Sequence, residues 1–244
     1  VSRRFDAFDA VLFDYAGTLF DDGAVLTPAG VCAQAARRGV ALAPAEAERV
    51  IAGALAAVDS PSGLVAREGC DRSAARHRAV WTGLMTDAAP GALADAVYAC
   101  LVDPASWPAY PDTAGVLRRL AGAGLRLGVV SNIGWDVRPS FTALGVADLV
   151  GSFALSCERG AVKPEPELFL AACEELGVAP ARTLFVGDDP AKDGAAARLG
   201  MPVYLLPAER AAGRPRGLDA VLALAGLVTE PRPSCPGGGR PPGP

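Results

Sequence analysis

Lysine is almost missing from this chain of 244 residues: of 23 basic side chains only Lys163 and Lys192 are lysines, and the rest are arginines. Histidine occurs once, at His77. With no G-x-S-x-G and a single histidine, a Ser-His-Asp hydrolase has poor support. The six cysteines form no C-x-x-C pair, so neither a zinc spacing nor a disulfide framework is legible, and reduced thiols in the cytoplasm are the expectation. No apolar run reaches the ~18 residues that cross a bilayer, and the charged start at Arg3, Arg4 and Asp6 leads into no signal-peptide core. Excess positive charge is missing too. A net charge of −4 argues against a nucleic-acid partner, which requires a basic face. The pair Gly122-x-Gly124 precedes its strand instead of following it, so it is not a dinucleotide fingerprint.

What is present is an apolar run, Val11-Leu12-Phe13, ending on Asp14 and followed at once by the turn residues Gly17-Thr18. Short apolar runs bounded by turn signals read as buried strands of a parallel sheet. From Asp21 to Trp107 no convincing strand follows. Thr27-Pro28 opens one helix, which Gly39 closes. A second runs from Ala43 to Val58, a third is capped by Asp71 and carries Arg76, His77, Arg78 and Trp81, and a fourth runs from Pro90-Gly91 to Val102. His77 is expected on the helix surface. The cluster Arg67, Arg72, Arg76, Arg78 and Trp81 reads as a solvated face rather than a substrate contact.

From Asp112 helices and strands alternate. A helix to Gly122 precedes strand Leu125–Ser131, and a short helix near Ser140 precedes strand Leu149–Leu155. Helix Pro166–Leu176 leads to strand Thr183–Val186, and helix Ala191–Leu199 leads to strand Val203–Leu206. This pattern predicts an α/β fold, a doubly wound parallel sheet covered on both faces. The predicted organisation is an α/β core of residues 1–20 and 108–228, a helical insertion of residues 21–107, and a disordered Pro- and Gly-rich tail of residues 229–244.

Ligand chemistry in such sheets gathers at the carboxyl ends of the strands. There the chain delivers Asp14, then Ser131-Asn132, then Gly187-Asp188-Asp189 with Asp193, and between the last two Lys163, placed just before a helix. Clustered, these groups read as a phosphoryl-transfer site. A carboxylate nucleophile forms an aspartyl phosphate. Because the nucleophile and the phosphate are both anions, a cation must separate them, and hard oxygen ligands such as Asp14 and Asp188 suit Mg²⁺. Ser131, Lys163 and backbone N–H groups near Gly17 and Thr18 would hold phosphoryl oxygens. Asp189 or Asp193 would reach the metal through water or steady Lys163, although both also suit helix-capping roles.

The set resembles the haloacid dehalogenase superfamily from Phe13 to about Met201, its four motifs corresponding in order to Asp14–Thr18, Ser131, Lys163 and Asp188–Asp193. The resemblance implies a Rossmann-like core, an inserted mobile cap, Mg²⁺ as cofactor, and hydrolysis of a small phosphorylated metabolite without nucleic-acid or membrane partners. It assigns catalysis to Asp14, Thr18, Ser131, Asn132 and Lys163, and metal binding to Asp14, the carbonyl of Ala16, Asp188, Asp189 and Asp193. One position departs from the pattern. Family phosphatases carry a second Asp two residues after the nucleophile, as general acid and base, and here that residue is Ala16. Such a loss typically costs ~10²–10⁴ in rate, so substrates whose leaving group needs no proton are favoured. Phosphonoacetaldehyde hydrolases share Asp-x-Ala-Gly-Thr but need a cap lysine, and this cap has none. The 2-haloacid dehalogenases place Tyr at the second position, whereas here it is one residue early, at Tyr15. A phosphate-binding protein without activity is the alternative.

Overall fold

The computed structural model describes residues 8–209 and 213–227; the expectation for the tail falls outside them. Five parallel strands, β1 (Ala10–Phe13), β2 (Arg126–Ser131), β3 (Val150–Leu155), β4 (Thr183–Gly187) and β5 (Val203–Leu205), form one sheet in the order β3-β2-β1-β4-β5. Strand side chains alternate between faces with period two, and both faces here are apolar. On β1, Val11 and Phe13 join one core while Ala10 and Leu12 join the other. On β4, Leu184 and Val186 face the first and Phe185 the second. That is why the strands read as unbroken hydrophobic runs.

Ten helices accompany the sheet among the described residues: α1 (Pro28–Ala36), α2 (Pro44–Val58), α3 (Pro61–Arg67), α4 (Ala74–Met85), α5 (Ala92–Leu101), α6 (Thr113–Gly122), α7 (Arg138–Ala143), α8 (Ser156–Arg159), α9 (Pro166–Leu176) and α10 (Asp219–Leu224). α9 covers one face through Leu168, Phe169, Ala172 and Leu176, with Phe169 edge-on to Phe185 at 5.1 Å. α6 covers the other through Val116, Leu117 and Leu120, joined by Val221 and Leu222 of α10. No single helix is long and apolar enough to cross a membrane.

α1 to α5 all lie between β1 and β2 in the chain, as one helical insert. Its entry and exit run side by side: Phe20 bridges Ala109, Asp21 N–H donates to the Pro108 carbonyl at 2.9 Å, and Thr113 Oγ1 donates to the Leu19 carbonyl at 2.8 Å.

The local expectations need four corrections. Asp71 does not cap the third predicted helix; it sits in a 3-10 turn over Cys70–Arg72, and the Ser73 hydroxyl caps α4 by accepting from Arg76 N–H. α3 was absent from the sequence reading, because its seven residues are too short to show a period. The segment predicted as helix Ala191–Leu199 is a 3-10 helix over Asp193–Leu199. His77 is buried, at 2% exposure, since its ring lies against Trp81, Tyr98 and Trp135.

Candidate active site

β1, β2 and β4 lie side by side, and the order of connection reverses around β1, which opens a crevice at their carboxyl ends. A cleft of about 340 Å³ occupies that crevice, lined by Asp14, Ala16, Ser131, Lys163, Asp188 and Asp193 among others. Asp14 follows β1 directly and its N–H donates to the Val186 carbonyl at 2.9 Å, so its backbone is fixed by the neighbouring strand. Tyr15, one residue on, turns the other way: it is fully buried, stacks on Phe20 at 4.5 Å, and hydrogen-bonds Ser140 Oγ at 3.0 Å.

Lys163 is the hinge of the electrostatics. Its Nζ donates to Asp14 Oδ1 and to Asp193 Oδ1, both at 2.7 Å, with the three side chains at 2%, 11% and 0% exposure. Burial pushes the Asp14 carboxyl up to about 6; Lys163 pulls against the rise, and Asp193 and Asp188 add to it. Burial also opposes the Lys163 charge, but the attraction of Asp14 and Asp193 outweighs it and holds its pKa above the ordinary lysine value. An ammonium in this setting stays charged.

Asp193 works chiefly as a strut. While Oδ1 takes Lys163, Oδ2 accepts the N–H groups of Asp188 and Asp189 at 2.9 and 3.0 Å. Its approach requires glycine at 187, where a Cβ would stand 2.2 Å from Asp193 Oδ2. Asn132 is a second positioning group. Its amide donates to the Lys163 carbonyl at 2.9 Å and accepts Lys163 N–H at 2.7 Å, fixing the backbone that carries the lysine.

Two expectations about the first motif fail on geometry. Gly17 N–H is not turned toward a ligand; it donates to the Phe20 carbonyl at 2.8 Å, closing the turn. Thr18 is fully buried and does not line the cleft, and its hydroxyl makes no hydrogen bond among the described residues. Asp189 lines the cleft but is engaged elsewhere: Oδ1 accepts Ala191 and Lys192 N–H, and Oδ2 pairs with Lys192 Nζ at 2.8 Å. Asp22, which no sequence motif marks, is on the cleft wall with Ala16. The only available signal was its place just after the first motif.

Asp14, Asp188 and Asp193 each offer an oxygen, and these atoms lie within 4.8 Å of one another. The cleft lining holds five carboxylates, Asp14, Asp22, Asp188, Asp189 and Asp193, against two lysines, Lys163 and Lys192, so it carries surplus negative charge, and the three clustered donors are hard oxygens. That set fits a hard divalent cation. Asp189 stands outside it. Asp14 and Asp188 are the direct candidates, because both oxygens of Asp193 already accept protein hydrogen bonds.

The insert meets this site along one seam. Arg72 forks onto Glu165, two residues past Lys163, and also donates to the Gly160 carbonyl at 2.8 Å. Ser156 Oγ accepts Ile133 N–H and donates to the Asp71 carbonyl, both at 2.8 Å. His77 packs so closely on the loop after Ser131-Asn132 that a Cβ at Gly134 would stand 2.1 Å from its ring. Of the five-residue cluster expected on a solvated face, Arg72 is therefore an anchor, while Arg67 and Arg78 form surface ion pairs with Asp59 and Asp95.

Fold and site together define an α/β enzyme with an acidic cleft at the ends of its strands. The family described as haloacid dehalogenase-like hydrolase matches residues 8–200, and the chain belongs to that family, as a hydrolase. It is 29% identical to haloacid dehalogenase-like hydrolase domain-containing protein 3 of Danio rerio, over 72% of this chain and 75% of the relative. It is 36% identical to a phosphoserine phosphatase of Thermus thermophilus, over 38% of each chain. Among solved structures it resembles an HAD phosphatase from Thermococcus onnurineus, with a TM-score of 0.58, 24% identity, and coverage of 89% of this chain and 97% of the other. It resembles an L-2-haloacid dehalogenase from Xanthobacter autotrophicus at the same TM-score and identity, covering 91% and 84%. These likenesses at low identity speak for the fold.

Proposed function

We propose that the protein is a Mg²⁺-dependent phosphatase acting on a small phosphorylated metabolite with a good leaving group, with Asp14 as the nucleophile. The observation that carries this reading is the Asp14–Lys163–Asp193 triad at the foot of a cleft that also holds Asp188. Named phosphatases among the relatives support it, including enzymes for phosphoserine and phosphoglycolate, although the chain spans well under half the length of each of these. Asp14, Asp188 and the Ala16 carbonyl would hold Mg²⁺, which when bound neutralises charge between the nucleophile and the phosphoryl group. Asp14 attacks phosphorus as the P–O bond to the leaving group breaks, releasing it as an aryloxide or carboxylate that needs no proton, and water then hydrolyses the aspartyl phosphate to inorganic phosphate and free Asp14. Lys163 neutralises an equatorial phosphoryl oxygen, kept in place by Asp193 and by the Asn132 clamp on its backbone. Ser131, buried at the end of β2 on the cleft wall, offers its hydroxyl to another.

The helical insert is read as the cap that covers the leaving group, hinged where Phe20 lies against Ala109. Cytoplasmic residence is part of the same proposal, supported by the five free cysteines among the described residues. Ala16 lines the cleft at the position where the family phosphatases have an acid, so aryl and acyl phosphates are the expected substrates and sugar phosphates poor ones. Dehalogenation draws no support from Tyr15, whose hydroxyl is tied to Ser140 away from the cleft. Steady-state assays on an aryl phosphate with and without Mg²⁺ test the proposal. Wild type should turn over only with the ion, and Asp14→Asn should be inactive. Equal rates in wild type and Asp14→Asn would refute it. Inactivity of both, with Mg²⁺-dependent phosphate binding retained in calorimetry, would mark instead a phosphate-binding protein without catalysis, the reading that Ala16 also motivates.

A further inference from the structure

We propose that Cys70, Asp71 and His77 in the helical insert form a second metal site, separate from the acidic cleft, for a divalent transition ion of the Zn²⁺ class. The three residues offer a sulfur, an oxygen and a nitrogen lying within 4.8 Å of one another. Two side chains converge on one oxygen: the Cys70 thiol donates to Asp71 Oδ1 at 3.5 Å, and His77 Nε2 is 3.6 Å from the same atom. An N–H···O hydrogen bond spans about 2.7–3.2 Å, so the histidine contact is too long for one. It has the length of an edge between co-ligands. With Zn–S near ~2.3 Å and Zn–O and Zn–N near ~2.0 Å at tetrahedral angles, the S···O edge is about 3.5 Å and the N···O edge about 3.3 Å.

Local structure builds this arrangement from nearby residues. Gly69 adopts the left-handed conformation that starts the 3-10 turn Cys70–Arg72, and Ser73 then caps α4, which returns His77 over the turn one helical turn later. The opposite ring nitrogen is already held, with Nδ1 2.9 Å from the Tyr98 hydroxyl. Such an outer partner orients the ring and leaves Nε2 for the ion. Cys70 and His77 are each 2% exposed, while Cys70 and Asp71 line a groove of about 1020 Å³ shared with Arg72, Trp81 and Lys192. Water from that groove would complete the shell. Thiolate and imidazole discriminate against Mg²⁺ and Ca²⁺, which take oxygen. On binding, the Cys70 thiol releases its proton to solvent as the sulfur–metal bond forms, with no change of oxidation state. Because the Asp71 carbonyl also accepts from Ser156, the ion would brace the seam between insert and sheet. None of this depends on the phosphatase reading. The spacing C-D-x5-H matches no paired-cysteine motif, which is why the sequence did not suggest it.

Cobalt titration of the chelator-treated full chain, in excess Mg²⁺ to occupy the acidic cleft, tests the site. The expected result is thiolate-to-cobalt charge-transfer absorption that saturates at one Co²⁺ per chain and is bleached by Zn²⁺. It should be lost in Cys70→Ser, be weakened at least tenfold in affinity in His77→Gln, and persist in Asp14→Asn. Zinc-edge X-ray absorption of the wild-type protein with one equivalent of Zn²⁺ should count one sulfur in a four-ligand shell, a readout that needs no variant to fold. Absence of the charge-transfer band, a band unchanged by Cys70→Ser, or a shell without sulfur would overturn the proposal.

Discussion

On the proposed phosphatase reading, Ala16 is the residue that sets which leaving groups depart. Ala16 lines the cleft in which Asp14 and Lys163 meet, so on that reading Ala16→Asp would supply a carboxyl to protonate a leaving alkoxide. The expected outcome is a rise of about 10²-fold in kcat on an alkyl phosphate and little change on an aryl phosphate, read from the ratio of the two rates. Gly187 tests the strut beneath the lysine. A Cβ there would stand 2.2 Å from Asp193 Oδ2, and overpacking of this kind costs about 1–3 kcal/mol. Gly187→Ala should lower the melting temperature and reduce kcat by at least tenfold, because Asp193 can no longer hold Lys163 and the Asp188 and Asp189 N–H groups together. An unaltered kcat would show that the strut is dispensable. Asp14 and Lys163 were legible from the chain, the first by ending an apolar run, the second by its rarity among arginines. The sequence left two tasks open to Asp189 and Asp193, reaching the metal through water or steadying Lys163, and that the second falls to Asp193 was not legible. Its two oxygens serve Lys163, thirty residues earlier, and the turn after β4, and no local pattern encodes such a meeting.

Among the elements, the turn after β1 depends on a distant one. Asp112, just ahead of α6, accepts three backbone N–H groups, from Arg216, Gly217 and Leu218 at 2.9, 2.9 and 2.8 Å. That grip places Arg216, buried at 6% exposure, so that its Nε donates to the Gly17 carbonyl at 2.6 Å. The turn carrying Asp14 and Ala16 is thus braced by residues beyond the span matched by the family. Asp112→Ala removes a charged acceptor and should cost about 1–3 kcal/mol in urea denaturation, with a fall in kcat larger than any change in KM. Helix α4 illustrates the limit of reading elements from periodicity. Its presence was evident, but its cap is Ser73 rather than Asp71, since which hydroxyl or carboxylate meets the first free N–H depends on the backbone turn before it.

Across the whole molecule the insert is fastened to the sheet layer by Arg72 on Glu165, Ser156 on Asp71, and His77 on the Gly134 loop. The Arg72 guanidinium, with Val162 N–H, holds the Glu165 carboxyl below the usual glutamate range. A carboxyl with a depressed folded pKa stabilises fully above its unfolded value and loses that contribution as pH falls through the folded one. The fastening should therefore persist at neutral pH and weaken only below the ordinary glutamate pKa of 4.5. Limited proteolysis across that range should show the insert becoming more susceptible as pH falls. Glu165→Gln should be more susceptible already at neutral pH and respond less to acid. Identical profiles for the two proteins would show that this ion pair does not fasten the insert.

From its order of residues alone this protein settled its class of fold and which polar residues stand at its strand ends, because hydrophobic period, helix punctuation and the residue that closes each apolar run are local properties. Tertiary structure decided which polar groups line the cleft and which face each other. Gly17 N–H was spent on Phe20, Asp189 on Lys192, and His77 was drawn into an aromatic seam beside Cys70 and Asp71. Those outcomes follow from distances between remote segments, where a carboxylate, an amide or an imidazole takes whichever partner the packed chain brings within reach.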